Sequence, residues 1–168
     1  SDSESIAVNV LNALEGRIVD GPVSEATISL MTGGESSDDQ AVSDENGFWL
    51  LPAESSQGAK IVSEGGTDTF TDAQLPRLVL MSDLPADLSA SINVNAITTL
   101  LSFAETDTDK QALLVTLGIE GSVDEFLALD IWNGAEAGDS NASAAQRINA
   151  QLGVIFQTAQ TLISEVDL

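Results

Sequence analysis

Carboxylates dominate the side chains of this sequence that could do chemistry. The 168 residues include 27 Asp and Glu but no His and no Cys. This composition excludes Ser-His-Asp triads, Cys-His pairs and metal sites built from imidazole or thiolate. Paired carboxylates remain, as in glycoside hydrolysis, but that reaction needs two acids at a defined separation in unlike environments. Because no pair stands out among so many acids, the sequence predicts a protein that is not an enzyme.

One group of acids is a candidate calcium site. Asp38, Asp39 and Asp44 lie in the polar stretches 33–39 and 43–46, which we expect to be loops that meet at one end of a domain. Calcium takes oxygen ligands of this kind. No complete alternating Asp-x-Asp-x-Asp-Gly loop is present, so solvated turn residues are the competing interpretation. No cofactor other than calcium is expected.

The segment "SIAVNVL" (residues 5–11) has the pattern of a strand. Ile6, Val8 and Val10 alternate with small or polar residues, which is typical of a half-buried strand. This strand could join its own sheet, or it could complete the sheet of a neighbouring subunit by strand addition. A head-to-tail contact of the second kind does not close on itself and would build a filament. In that case Ile6, Val8 and Val10 form the subunit contact.

The elements that would position these residues change in kind near residue 90. Before it, short alternating runs are separated by Gly, Pro, Asn and Asp, a pattern that predicts an antiparallel β-sandwich. Asp20-Gly21-Pro22 is expected to turn a hairpin between the first two strands. Phe48 and Trp49 should point to opposite faces of one strand. The predicted strands are 18–19, 26–31, 40–42, 47–52, 59–64, 67–71 and 77–81.

After residue 90 the spacing of apolar residues becomes helical. We expect helices at 94–105 and 108–118, and a short one that opens with a capping box of Ser122 and Glu125. Trp132 should fill the seam between helices and sandwich. A long amphipathic helix is predicted from Asn141 onwards. Its apolar stripe consists of Ala145, Ile148, Leu152, Ile155, Ala159, Leu162 and Val166.

These patterns together predict an α+β fold with three parts. Residues 1–13 form an N-terminal extension and candidate donor strand, and residues 14–90 form the antiparallel β-sandwich. Residues 91–168 form a helical region that packs on the sandwich and ends in the long helix. The formal charge of −22 excludes nucleic acid or an anionic membrane as a partner bound through a basic patch. No membrane-spanning segment is expected, because no apolar run has the required length.

Four stretches carry a resemblance to a known kind of module. "GRIVDGPVSEATISL" (16–30), "SDENGFWLLP" (43–52), "SEGGTDTFTD" (63–72) and "INVNAITTLLS" (92–102) occur in that order. In sequence and spacing they resemble modules that recur in large bacterial surface proteins and adhesins. The β part is similar to carboxypeptidase-regulatory-like sandwiches. The resemblance covers about residues 14–168, more weakly after residue 105, and its motifs are structural turns.

The resemblance implies a non-enzymatic module at the bacterial cell surface. It would act as a structural or adhesion module, and as a pilus-like fibre subunit if the N-terminal strand is donated. Its partners would then be further copies or neighbouring domains. The alternative is a calcium-dependent adhesin module that binds a peptide or glycan near Asp38, Asp39 and Asp44. Many such modules carry an Asp-rich calcium loop where this chain has "MTGGESSDDQ" (31–40), so calcium binding does not carry over directly.

Overall fold

The computed structural model describes residues 13–52 and 58–166, with side chains up to residue 159. Its strands precede its helices, so the expected α+β class is confirmed. The strands are β1 (Leu14–Val19), β2 (Val23–Ser24), β3 (Thr27–Thr32), β4 (Glu35–Val42), β5 (Phe48–Leu51), β6 (Lys60–Glu64), β7 (Thr67–Asp68), β8 (Ala73–Gln74), β9 (Val79–Asp83) and β10 (Ile92–Asn95). The helices are α1 (Ala96–Phe103), α2 (Asp107–Thr116), α3 (Val123–Leu127), α4 (Ile131–Glu136) and α5 (Ser140–Val166).

Two sheets form a sandwich around one apolar core. The first has the strand order β10-β1-β5, the second β4-β3-β6-β9, and β2, β7 and β8 make a small separate ribbon. Ile18 and Leu51 of the first sheet are buried in the same cluster as Ile28 and Ile61 of the second. All described pairings are antiparallel except that of β1 with β10, which is parallel. Because β10 belongs to the first sheet, the sandwich extends beyond residue 90 to Asn95.

The turn at Asp20-Gly21-Pro22 does not join a hairpin, contrary to expectation. β1 pairs with β5 and β10, whereas β3 pairs with β4 and β6 in the other sheet. The turn contains Gly21 at φ 80° and closes only a single bridge, between Val19 and Pro22. It therefore carries the chain from one sheet to the other. Turn chemistry specifies that the chain reverses, but burial on the two inner faces decides which strands pair.

The polar stretch 33–39 is not a loop, and this expectation was wrong. Gly33 and Gly34, at φ 63° and 90°, make a tight turn, and β4 begins directly after it at Glu35. β4 lies at the edge of its sheet and exposes most of its side chains on both faces. Such a strand is held by main-chain hydrogen bonds to β3. Because neither face of β4 is buried, its sequence lacks the apolar alternation from which strands are recognised.

The helices pack at the Val19 end of β1 in the first sheet, and α1 also packs along β9 of the second sheet, where Thr98 and Thr99 bond to the Met81 main chain. Val19 shares a second apolar cluster with Ile97 of α1, Leu114 of α2 and Ala145 of α5. The expected caps are confirmed: Ser122 and Glu125 form a capping box, and Gly118 at φ 73° follows α2. The long C-terminal helix is also confirmed. Its stripe differs from expectation at Ile155 and Ala159, which are exposed, and Leu162 and Val166 lie beyond the side chains that the structure describes.

Candidate functional site

The expected subunit-contact residues lie outside the part of the chain that the structure describes. Ile6, Val8 and Val10 precede residue 13, the first described residue. Their role in a subunit contact therefore stays a prediction. What the structure does describe is the surface of the sandwich on which an added strand could lie.

The expected calcium ligands are not brought together. Asp38 and Asp39 are exposed neighbours in the middle of β4, and successive strand residues point to opposite faces. Asp44 follows β4, where its Oδ1 accepts hydrogen bonds from the backbone N–H groups of Asn46 and Phe48, both at 2.9 Å. Within residues 13–52 and 58–166, no group of three or more Asp or Glu residues is placed to hold a metal ion. Calcium binding stays a prediction without local support.

The edges of the two sheets lie side by side at β4 and β5. β5 pairs with β1, and β4 pairs with β3; on their other sides, neither has a strand partner among the described residues. A cavity of about 590 Å³ lies at this edge, between Ala41 and Val42 of β4 and residues of β1 and β5. We call it the edge cavity. Unpaired strand edges present free N–H and C=O groups and are sites of strand addition.

Part of the rim of the edge cavity is apolar and exposed, beside the carboxylates of Glu15 and Asp44. Val42, Phe48 and Leu50 are 64%, 42% and 59% exposed and all line the cavity. Phe48 and Leu50 point to the same side of β5, because they are two residues apart. Clustered exposed apolar side chains mark interaction surfaces more often than isolated ones do. The Phe48 main chain is already bonded to Asp44: its N–H donates to Oδ1 at 2.9 Å, and its carbonyl oxygen accepts from the Asp44 N–H at 2.8 Å. The edge cavity therefore combines an apolar surface with a strand edge that has no strand partner among the described residues.

Trp49 lines the same cavity from the inner face of β5. It is only 4% exposed, as expected for one member of the Phe48–Trp49 pair, and its ring lies over Gly16. A Cβ at Gly16 would lie 2.6 Å from Cζ2 of this ring, so the close approach depends on glycine. The Trp49 Nε1 group has no hydrogen-bond acceptor in the described structure. An unsatisfied buried donor of this kind costs about 1–3 kcal/mol.

Arg17 fixes the position of Phe48. Its guanidinium lies 4.6 Å from the centroid of the Phe48 ring and 5.7 Å from that of Trp132. Arg17 Nε donates to the carbonyl oxygen of Asn46 at 2.8 Å, and Nη1 donates to Asn133 Oδ1 at 3.0 Å. Trp132 thus lies in the seam between helices and sandwich, as expected. Phe48 therefore packs at the rim against a buried cation.

Sequence reasoning missed this edge, although a signal for it was present. In "FWLL" (48–51), apolar residues occupy both faces of the strand. An ordinary sandwich strand has a polar outer face, so Phe48 and Leu50 indicate a second apolar surface on the outside of the sheet. Their neighbour Val42 could not be found in this way, because the approach of β4 to β5 is a tertiary feature.

Comparison with protein-family models, with curated proteins and with solved structures gives no match for this chain. Among the helices of the described residues, none has the length and apolar character needed to cross a membrane.

Proposed function

We propose that this chain is a non-enzymatic, extracellular structural or adhesion module of a bacterial surface protein. In this proposal copies assemble into a fibre by strand addition. Residues 5–11 of one copy lie along β5 of the next, at the edge cavity. The observation that carries the proposal is the β5 edge, which has no strand partner among the described residues, with the exposed side chains of Val42, Phe48 and Leu50 around it.

The dimensions of the two partners support this contact. β5 has four residues and spans about 13 Å, whereas the seven residues 5–11 span about 23 Å when extended. Ile6, Val8 and Val10 are spaced by two residues, as are Phe48 and Leu50, so their apolar faces have the same repeat. An added strand would pair its main chain with β5 and cover the exposed side chains at the same time.

Charge also favours this segment over other surfaces as the contact. Copies with a net charge of −22 repel one another, yet residues 5–11 contain no charged side chain. A contact through them adds no close carboxylate pair to that repulsion. Since salt screens the long-range repulsion and leaves apolar burial in place, assembly should increase with ionic strength.

The first experiment is negative-stain electron microscopy of the intact chain and of a variant lacking residues 1–12, at neutral pH in moderate salt. Fibres from the intact chain alone are expected. Monomers from both chains would overturn the proposal, because a donated strand must produce an open assembly. Fibres from both chains would also overturn it, because assembly would then not depend on residues 1–12.

A second variant tests the acceptor. Leu50→Glu places a charge on the apolar rim and should prevent fibre formation, with the monomer still folded by circular dichroism. Val115→Glu is the matched control, because Val115 is an exposed apolar residue on α2. It should assemble like the unchanged chain. Equal loss of assembly in both variants would indicate a general effect of charge rather than a contact at β5.

A further inference from the structure

A second cavity lies in the seam between the sandwich and the helices, away from β4 and β5. It has a volume of about 600 Å³ and lies between the turn after β1, the connection from β7 to β8, and α5. We call it the seam cavity. The lining residues used below are Asp20, Asp68, Phe70, Trp132, Arg147 and Gln157.

Two carboxylates, Asp20 and Asp68, line this cavity. Asp20 accepts a hydrogen bond from Gln157 Nε2 at 2.9 Å. It also lies against Gly153 of α5, where a β-carbon would collide with the carboxylate. Burial, together with the charge of nearby Asp68, raises the pKa of Asp20 above its usual range, although the bond from Gln157 opposes this shift. Neither Asp20 nor Asp68 forms an ion pair within the described structure.

An aromatic pair stands beside these carboxylates. The ring centroids of Phe70 and Trp132 are 5.2 Å apart with an interplanar angle of 32°. Phe70 is 65% exposed, although its neighbour Asp68 anchors its loop: Asp68 Oδ1 accepts from the N–H of Phe70 at 2.8 Å. An aromatic face next to a carboxylate attracts a cation by two mechanisms at once, cation–π attraction and direct charge pairing.

One cation already lines the cavity, from α5. Arg147 is exposed and forms no ion pair with any described residue. It is outnumbered by the two carboxylates, and the whole chain is strongly acidic. Long-range attraction would therefore bring a cationic partner to the cavity, while Arg147 would weaken its binding by repulsion.

We propose that the seam cavity binds the side chain of a lysine or arginine presented by a partner protein. The ammonium or guanidinium group would pair with Asp20 and Asp68, and the aliphatic stem would lie against Phe70. The proposal does not depend on fibre formation, because the site is not on the β5 edge.

The test is a titration of the ¹⁵N-labelled chain followed by NMR. The probe is Nα-acetyl-lysine amide, which keeps the side-chain ammonium group. N-acetyl-norleucine amide is the neutral control of similar shape. The lysine compound should shift the signals of Gly153, the Gln157 side chain and the Trp132 indole, and the norleucine compound should bind at least about fivefold more weakly. Equal affinity for the two compounds would overturn the proposal, because the cavity would then recognise only apolar surface.

Two substitutions should change the affinity for the lysine compound in opposite directions. Asp20→Asn should weaken binding of the lysine compound about tenfold, and Arg147→Gln should strengthen it about two- to threefold. Asp39→Asn, an exposed carboxylate on β4, should leave it unchanged, and the backbone spectrum of each variant reports its folding. If instead Asp20→Asn strengthens binding and Arg147→Gln weakens it, the cavity is a site for anions. Calcium chloride that shifts the same signals and excludes the lysine compound would reveal a metal site; either outcome overturns the proposal.

Discussion

The Asn149 side chain joins α5 to Val19, the last residue of β1. Its Nδ2 donates to the Val19 carbonyl oxygen at 2.8 Å, and its Oδ1 accepts from the Ala96 N–H at 2.8 Å. Asn149 is buried, and its two bonds connect the sandwich, the start of α1 and the long helix. This one amide therefore links α1 and α5 to the end of β1.

Replacing Asn149 should destabilise the fold strongly. Asn149→Leu keeps the branching and number of side-chain heavy atoms but leaves two buried backbone groups without their side-chain partner, so we expect a loss of about 3 kcal/mol in the free energy of unfolding. Asn141→Leu is a matched control, because Asn141 makes the same pair of bonds to Glu120 at the surface. There water replaces the lost bonds, and the loss should be about 1 kcal/mol. Urea denaturation of the three chains measures both values, and equal losses would contradict this account.

Arg17 should contribute more to stability than an exposed arginine does. It is buried, and Arg17→Leu removes its bonds to Asn46 and Asn133 together with its contacts to Phe48 and Trp132. We expect a loss of about 3 kcal/mol, because two acceptors lose a charged donor and the Asp130 carboxylate, 3.9 Å from Nη1, loses its cation. Exposed Arg77→Leu should change stability by less than about 0.5 kcal/mol. Thermal denaturation distinguishes the two, and a neutral Arg17→Leu would show that packing alone holds the seam.

Asp20 should make stability depend on pH in a predictable direction. Because its folded-state pKa is raised above 3.8, the folded state holds its proton more tightly than the unfolded chain does. The contribution of the Asp20 carboxyl to the free energy of unfolding is therefore most favourable in acid, and it is lost as the pH rises through the raised pKa. Asn at this position does not titrate, so Asp20→Asn should gain stability relative to the unchanged chain between about pH 3 and about pH 7. Paired denaturation curves at several pH values measure the difference, and a constant difference would contradict the shift.

Asp44 should stabilise the connection between β4 and β5 without a metal. Asp44→Ala removes the acceptor for two backbone N–H groups and should cost about 1 kcal/mol. Asp39→Ala, on the exposed face of β4, should cost less than about 0.5 kcal/mol. Melting temperatures measured with calcium and with a chelator extend the test. If calcium stabilises the unchanged chain but not Asp44→Ala, then Asp44 is a metal ligand and this account of the turn is incomplete.

Much of the local structure follows from the sequence because its causes lie within a few residues. The capping box of Ser122 and Glu125 and the helix stop at Gly118 need only neighbouring groups. The helical spacing of apolar residues along α5 is visible for the same reason. Of the candidate sites, the sequence shows the turn at Asp44 and the two apolar faces of "FWLL", but not the cavities to which they contribute.

Tertiary structure alone decided which elements became neighbours. The bond from Asn149 to Val19 spans 130 positions, and that from Arg17 to Asn133 spans 116. The parallel pairing of β1 with β10, the edge shared by β4 and β5, and the approach of Asp20 to Gly153 are contacts of the same long-range kind. A local pattern specifies which face of an element is apolar, but not which other apolar face will cover it. The sequence by itself thus determined the helix caps, the long C-terminal helix and the acidic, histidine-free chemistry, whereas collective burial of the apolar faces determined where both cavities lie.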